Sequence, residues 1–237
     1  MPDFDFAVQD GAFAVQDGAF AGELAIESFN DPIGGVENLD ASQGPWRGSD
    51  SLVGTSSDSF RGPSCAERSN DVRIRKWSYP GDGLETYPEL GSSAAAGSTI
   101  AMAVRPIDNF IGISFCHAPG HETDGYGCYW LTLDFDTYYD QLAFRRADSG
   151  GDIPFLTETG PAVPDDEWYI LAVVLDGDGE GHHVGQLWAT DVPSPGSGVR
   201  TTLEDEIVMD DTQHRGRGVG FVQVGTGNWD ELQLGLP

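Results

Sequence analysis

Two stretches of strict apolar–polar alternation, at 110–116 and 128–135, constrain this chain most. Ile111, Ile113 and Phe115 alternate with Gly112, Ser114 and Cys116. Tyr129, Leu131, Leu133 and Phe135 alternate with Cys128, Trp130, Thr132 and Asp134. A period of two is the mark of a half-buried strand. Pairing Phe115 with Tyr129 aligns both apolar sets on one face. That register sets Cys116 opposite Cys128, close enough for their Cβ atoms to be bridged. A disulfide is one expectation and two reduced, half-buried thiols are the other; Cys65 is left over in both.

The same pattern recurs along the chain. Strands are expected over 24–29, 72–77, 99–105, 110–116, 128–135, 141–146, 168–175, 184–189, 219–224 and 229–234. The 32 glycines and 14 prolines fall largely in the turns between them, which favours an all-β domain. Residues 30–70 are rich in Gly and Ser and are expected to be irregular. No composition break marks a second domain, so 24–237 reads as one antiparallel jelly-roll β-sandwich. Residues 1–23 form a separate ribbon. There AVQDGAF occurs twice in tandem, at 7–13 and 14–20. Each copy carries Asp-Gly, the preferred two-residue hairpin turn. Folding at both turns puts Phe6, Val8, Phe13, Val15 and Phe20 on one face of a small hairpin or meander. Such a ribbon is marginal alone. Its apolar face needs the main body or another subunit, and a homo-oligomer or larger assembly is the expected partner.

Charge narrows the setting. Asp and Glu number 39 against 12 Lys and Arg, a net charge of −27, and Lys76 is the only lysine. A surface this acidic repels itself in dilute buffer. In molar salt the screening length falls to about 3 Å and the repulsion is largely removed. The chain reads as salt-adapted, with an acidic mesophilic protein as the alternative. Nucleic acid is disfavoured as a partner, because phosphate contacts need a basic patch. No run reaches the roughly 18 apolar residues of a membrane helix, so no membrane insertion is expected. The N-terminal MPDFDFAVQD lacks the features of a signal peptide.

The segments GYGCYWLTLDFDTYYDQLAFRRADSGG, PDDEWYILAVVLDGDGEG and GRGVGFVQVGTGNWDELQL resemble, in order and spacing, the concanavalin A-like lectin/glucanase superfamily. They are most similar to LamG-type jelly-roll modules of haloarchaeal surface proteins. ESFNDP and NWDELQL resemble the first and last strands of such modules. The resemblance covers about residues 24–237 and implies the fold more than the function, because the fold hosts lectins, enzymes and adhesion domains. It also implies a structural Ca²⁺ where those strands meet, with Glu27, Asp31 and Asp230 as matching acids. Solvated carboxylates are the alternative reading of the same residues.

The chemistry expected is binding rather than turnover. Glycoside hydrolysis needs two carboxylates at defined separation, and the Glu-x-Asp-x-x-Glu pattern of the resembling glucanases is missing. Asp134 and Asp136 share a strand face with no third acid at the right offset. No Ser-His-Asp or Cys-His arrangement stands out, and His117 and His121 flank a turn without further zinc ligands. The loop from Asp176 opens like an EF-hand but lacks its closing Glu. A sugar-binding face would use aromatics and amides. If the alternating leucines are core, Trp130, Tyr139, Arg145, Gln186 and Trp188 point outward and form one concave patch, unless a further layer covers them. Two functions stay open. One is a non-enzymatic structural or adhesive surface component of a salt-adapted assembly, such as a turret, fibre or decoration protein of a haloarchaeal virion that binds a host glycan or glycoprotein. The other is a stand-alone extracellular carbohydrate-binding module.

Overall fold

The computed structural model describes residues 5–9, 12–16, 23–27, 47–48, 54–56, 60, 65–78, 89–90, 92, 95–118, 126–136, 139–148, 153–161, 163–175, 182–191, 200–211 and 213–235. The elements in chain order are β1 (Asp5–Gln9), β2 (Ala12–Gln16), β3 (Glu23–Glu27), β4 (Arg47–Gly48), β5 (Gly54–Ser56), β6 (Cys65–Ser78), β7 (Thr99–Pro106) and β8 (Asn109–His117). They continue with β9 (Cys128–Asp136), β10 (Tyr139–Ala147), β11 (Phe155–Thr159), β12 (Tyr169–Leu175), β13 (His182–Asp191), β14 (Arg200–Asp210) and β15 (Gly218–Gly235).

The strands run in the order β11-β10-β9-β8-β15-β7-β12-β13-β14, with β3 and β6 also paired to β15. This long sheet folds back on itself into two layers. One layer holds β8 to β11 and the other holds β7 and β12 to β14. Their facing side chains fill the core, among them Ile113, Phe115, Leu131, Leu133 and Phe144 from the first layer and Leu171, Val173 and Leu187 from the second. The layers touch closely: a Cβ on Gly185 of β13 would press on Leu131 and Phe144.

β15 is the seam. Its first part, from Gly218 to Val224, pairs with β8, and its later part, from Gly227 to Gly235, pairs with β7. The change of partner happens at Gly225, whose φ is 88°. A side chain there would be strained and would strike Asp108. Asp108 instead accepts the N–H of Thr226 and fixes the corner between β7 and β8.

The expected hairpin register holds: Ile111 faces Leu133, Ile113 faces Leu131 and Phe115 faces Tyr129. The tandem repeat pairs as expected too, with Phe6 opposite Val15 and Val8 opposite Phe13 in a separate two-stranded sheet. Phe20 and the second turn lie outside the described residues. Three expectations need correction. The strands expected at 219–224 and 229–234 are one continuous strand. β11 and β14 were not anticipated, nor were β4, β5 and the start of β6 within a stretch read as irregular.

The Cys116–Cys128 bridge is the third correction. The two thiols are not bridged, and both are buried. Cys116 has a φ of 58°, and this left-handed residue breaks the alternation. Its side chain joins Phe115 in the main core, while Cys128 lies with Trp130 in a cluster on the outer face. The Gly216 N–H takes the Cys116 carbonyl at 3.0 Å. Burial, and after it the nearness of Cys128, pushes the Cys116 thiol well above its ordinary pKa, which leaves it protonated and unreactive.

Candidate functional site

The five outward residues do not form one patch. Leu131 and Leu187 meet in the shared core. The residues beside them on the opposite faces, Trp130 and Trp188, therefore point away from each other, to the two outer surfaces of the sandwich. Alternation gives each of these residues its side of its own strand. What it cannot supply is which layer each strand joins.

The outer face of the second layer holds Gln186 and Trp188. Trp188 is buried with Phe60, Ala103, Trp168, Ile170 and Ala172. Its indole N–H donates to Gln186 Oε1 at 3.2 Å, and Gln186 Nε2 donates to Glu206 at 2.8 Å. With its ring packed in and its N–H engaged, Trp188 offers no open platform for a ligand.

The outer face of the first layer holds Trp130 and Arg145, directly opposite each other across β9 and β10. Trp130 is 0% exposed. It packs with Phe110, Cys128, Ala147 and Val222 under Tyr126, Ile153 and Val224. It faces outward as expected, yet it is a second small core rather than a platform. Tyr139 sits at the start of β10 opposite Asp136, and its side chain lies outside the described residues.

Arg145 is the organising residue of this face. Its Nε donates to Thr132 Oγ1 at 3.2 Å, and its Nη2 is bonded to Asp134. Its guanidinium lies 3.9 Å from the ring centroid of Phe155 and 5.1 Å from that of Phe110. Such a planar cation suits both the carboxylate and the ring faces. Burial pushes the Asp134 carboxyl up from its ordinary pKa, and Arg145 opposes this. The pair is mostly covered: the side chains are 14% and 10% exposed. Phe155 is 46% exposed.

Polar capacity is left over. Arg145 carries five N–H groups, of which Nε and Nη2 make the bonds named above. The Thr132 hydroxyl also acts on the Asp134 carboxyl, while Oδ1 is buried with no hydrogen-bond partner among the described residues. A buried acceptor in this state is costly unless something completes it. The exposed aromatic and the guanidinium set an apolar face beside polar atoms, with the spare acceptor buried behind them.

Asp134, Thr132, Phe110 and Phe155 did not emerge from the sequence as site residues. Phe155 went unseen because β11 is short and lies at the edge. The apolar pair Phe155-Leu156 after Pro154 is the available signal. Asp134 reads in the sequence as half of a carboxylate pair with Asp136, while in the structure it holds Arg145.

A second polar network ties residues 211–214 to β9 and β10. Tyr129 donates to Asp211, and the His214 N–H reaches the Tyr129 oxygen at 2.9 Å. Arg146 bonds Asp148 at 2.9 Å and Asp211 at 2.8 Å, and His214 Nε2 lies 3.2 Å from Asp148. These groups satisfy one another and are read as a structural clamp.

The acids matched to Ca²⁺ are only partly brought together. β3 does pair with β15, setting Glu27 opposite Leu232, two residues beyond Asp230. Asp230 is wholly buried. The side chain of Glu27 and all of Asp31 lie outside the described residues, as does the Asp176 loop. Ca²⁺ takes six to eight oxygens, and no group of three metal-ligating side chains gathers among the described residues. The described residues therefore do not by themselves make such a site. Nor is any helix among them long and apolar enough to cross a membrane.

No protein-family model matches the sequence, and no curated protein matches it. Solved structures do match. Lectin II from Ulex europaeus aligns with a TM-score of 0.50 at 9% identity, over 91% of this chain and 98% of the lectin. The carbohydrate-binding module CBM66 from Bacillus subtilis aligns at 0.47 and 12% identity, over 81% of this chain and 95% of the module. The conserved carbohydrate esterase of the Shiga toxin-encoding bacteriophage phi24B aligns at 0.45 and 12%, over 91% and 99%. At these identities the likeness concerns the fold, and it rests on the Ulex lectin. The chain has an antiparallel jelly-roll β-sandwich, the fold it shares with the Ulex lectin.

Proposed function

We propose that this protein is a non-enzymatic, carbohydrate-binding surface protein that works in high salt, most simply as a turret, fibre or decoration component of a haloarchaeal virion that engages a host glycan or glycoprotein. The observation behind the binding half is the Phe155–Arg145–Asp134 group on an outer sheet face, an exposed ring beside fixed and unspent polar atoms. The lectin-like fold is in keeping with it. The salt and assembly half rests on the net charge of −27 and on the apolar tandem repeat. A Ca²⁺ held where β3 and β15 meet belongs to the same proposal.

A glycan panel in molar salt tests the binding half. Binding is expected for the full chain and is expected to fall at least tenfold in Phe155→Ala. A panel with no binder would remove the lectin reading and leave a structural role. Light scattering in the same salt, with and without residues 1–22, tests assembly: an oligomer that dissociates on deletion is expected, and a monomer in both cases overturns it. The second reading is a stand-alone extracellular carbohydrate-binding module. It is favoured by the same outer-face group, and a monomer that binds glycans would select it.

A further inference from the structure

We infer that the Phe155–Arg145–Asp134 group is a subsite for an uncharged pyranose presenting two adjacent hydroxyls, and that it discriminates against acidic sugars. The inference rests on the carbohydrate-binding reading above and specifies the class of sugar. Three features of the site lead to it.

The first is the balance of donors and acceptors. Arg145 has N–H groups beyond those given to Thr132 and Asp134, and Asp134 Oδ1 is an acceptor without a partner among the described residues. A sugar hydroxyl both donates and accepts. Two neighbouring hydroxyls complete this pair, one accepting from the guanidinium and the other donating to the carboxylate. A sugar carboxylate or sulfate is an acceptor only and would leave Oδ1 unsatisfied.

The second is charge. Arg145 is already neutralised by Asp134, and Glu158 is near enough to act on Asp134. β11 pairs Glu158 beside Ala143, two residues from Arg145 on the same face of β10. Two carboxylates against one guanidinium leave the site negative, and the whole chain adds a charge of −27. An anionic ligand gains nothing here. Salt screens the distant charges but acts far less on groups that are 14% and 10% exposed.

The third is shape. Phe155 presents an aromatic surface beside the polar pair, with Arg145 stacked on it at 3.9 Å. The apolar C–H face of a pyranose packs on such a ring while its edge hydroxyls meet the polar atoms. Oδ1 is closed to solvent as the side chains stand. Reaching it therefore requires a side chain of this face to move; Phe155, against Arg145, sits on a five-residue strand at the end of the strand order, where the pairing with β10 is irregular.

Trp130, opposite Arg145 in the register, makes binding visible in intrinsic fluorescence. The full-length protein is titrated in molar KCl with neutral methyl hexosides, and with uronate-containing and sulfated oligosaccharides. Saturable binding of a neutral sugar is expected, with uronates and sulfates at least tenfold weaker. Phe155→Ala and Arg145→Lys should each weaken binding at least tenfold. Gln186→Ala, on the opposite outer face, should leave it unchanged. Arg145→Lys keeps the charge and loses the fork, and Phe155→Ala alters an exposed position, so the second stays informative if the first unfolds. Tighter binding of uronates or sulfates that depends on Arg145 overturns the sugar class and leaves the lectin reading standing. Glycan binding that survives Phe155→Ala overturns the site. No binding to any sugar removes both.

Discussion

Trp130 faces away from the main core and is nevertheless fully buried. Its parity correctly sends it away from the main core. What parity omits is that a strand's outer face can itself be packed over, here by Tyr126, Ile153 and the neighbouring Val224. Such a residue is structural. Trp130→Ala is expected to cost about 3–5 kcal/mol of stability, the range for truncating a buried aromatic, as measured by denaturant melts in molar salt. A change under about 1 kcal/mol would mean that the ring is not packed as described. Arg145 is the contrasting case. The sequence placed it on the right face, and its partners were hidden because Thr132 and Asp134 reach it diagonally across β9 while Phe155 comes from a separate strand. Cys116 is a third kind of error: one left-handed residue moves its side chain to the other face, and no pattern of polarity announces it.

Elements were legible in proportion to how fully each obeys its period. β7, β8, β9, β10, β12 and β13 were all anticipated to within about three residues at each end, because apolar and polar positions alternate or run together as buried strands do. β14 escaped because Glu204, Asp205 and Glu206 interrupt its apolar positions, although Ile207 and Met209 are buried. The connection from β14 to β15 is held by ion pairs and hydrogen bonds among largely covered side chains, Asp211 and His214 among them, and this makes it sensitive to acid. Burial lowers the His214 pKa, with Asp148 and Asp211 opposing and Arg146 reinforcing the shift. Burial pushes Asp211 up, but hydrogen bonds from Tyr129, the Gln213 N–H and Arg146 together hold it below the ordinary range. Both groups therefore contribute stability that is lost on acidification: His214 as pH falls below its unfolded value of about 6.5, Asp211 below about 3.9. Asp134, whose pKa is raised, acts in the opposite direction. Between about pH 6.5 and 5 the His214 contribution is isolated from Asp211. His214→Gln is expected to flatten the decline of stability in that window, followed by urea melts at each pH. An equal decline in the variant would assign it to other histidines.

Charge acts on the molecule as a whole. A net charge of −27 destabilises any compact state until salt screens it. The melting temperature is therefore expected to rise steeply from about 0.1 M to molar KCl, followed by circular dichroism. A flat profile would return the chain to the class of ordinary acidic proteins. Adding a chelator at the highest salt tests the proposed Ca²⁺, which stabilises only the folded state; a lowered melting temperature is expected.

The seam strand has a consequence for the order of events in folding. β15 supplies the pairing edge for β8, β7, β6 and β3, so no strand from 23 to 117 that borders it finds its partner nearby in the chain. Hairpins such as β8–β9, β9–β10 and β10–β11 and the β12–β13–β14 meander form locally. β3, β6, β7 and the outer edge of β8 wait for β15, far along the chain. Contacts of such long range make for slow folding. The intermediates that wait expose strand edges that stick together, and a high like charge keeps such edges apart. The acidity that weakens the finished molecule in dilute buffer thus protects the unfinished one.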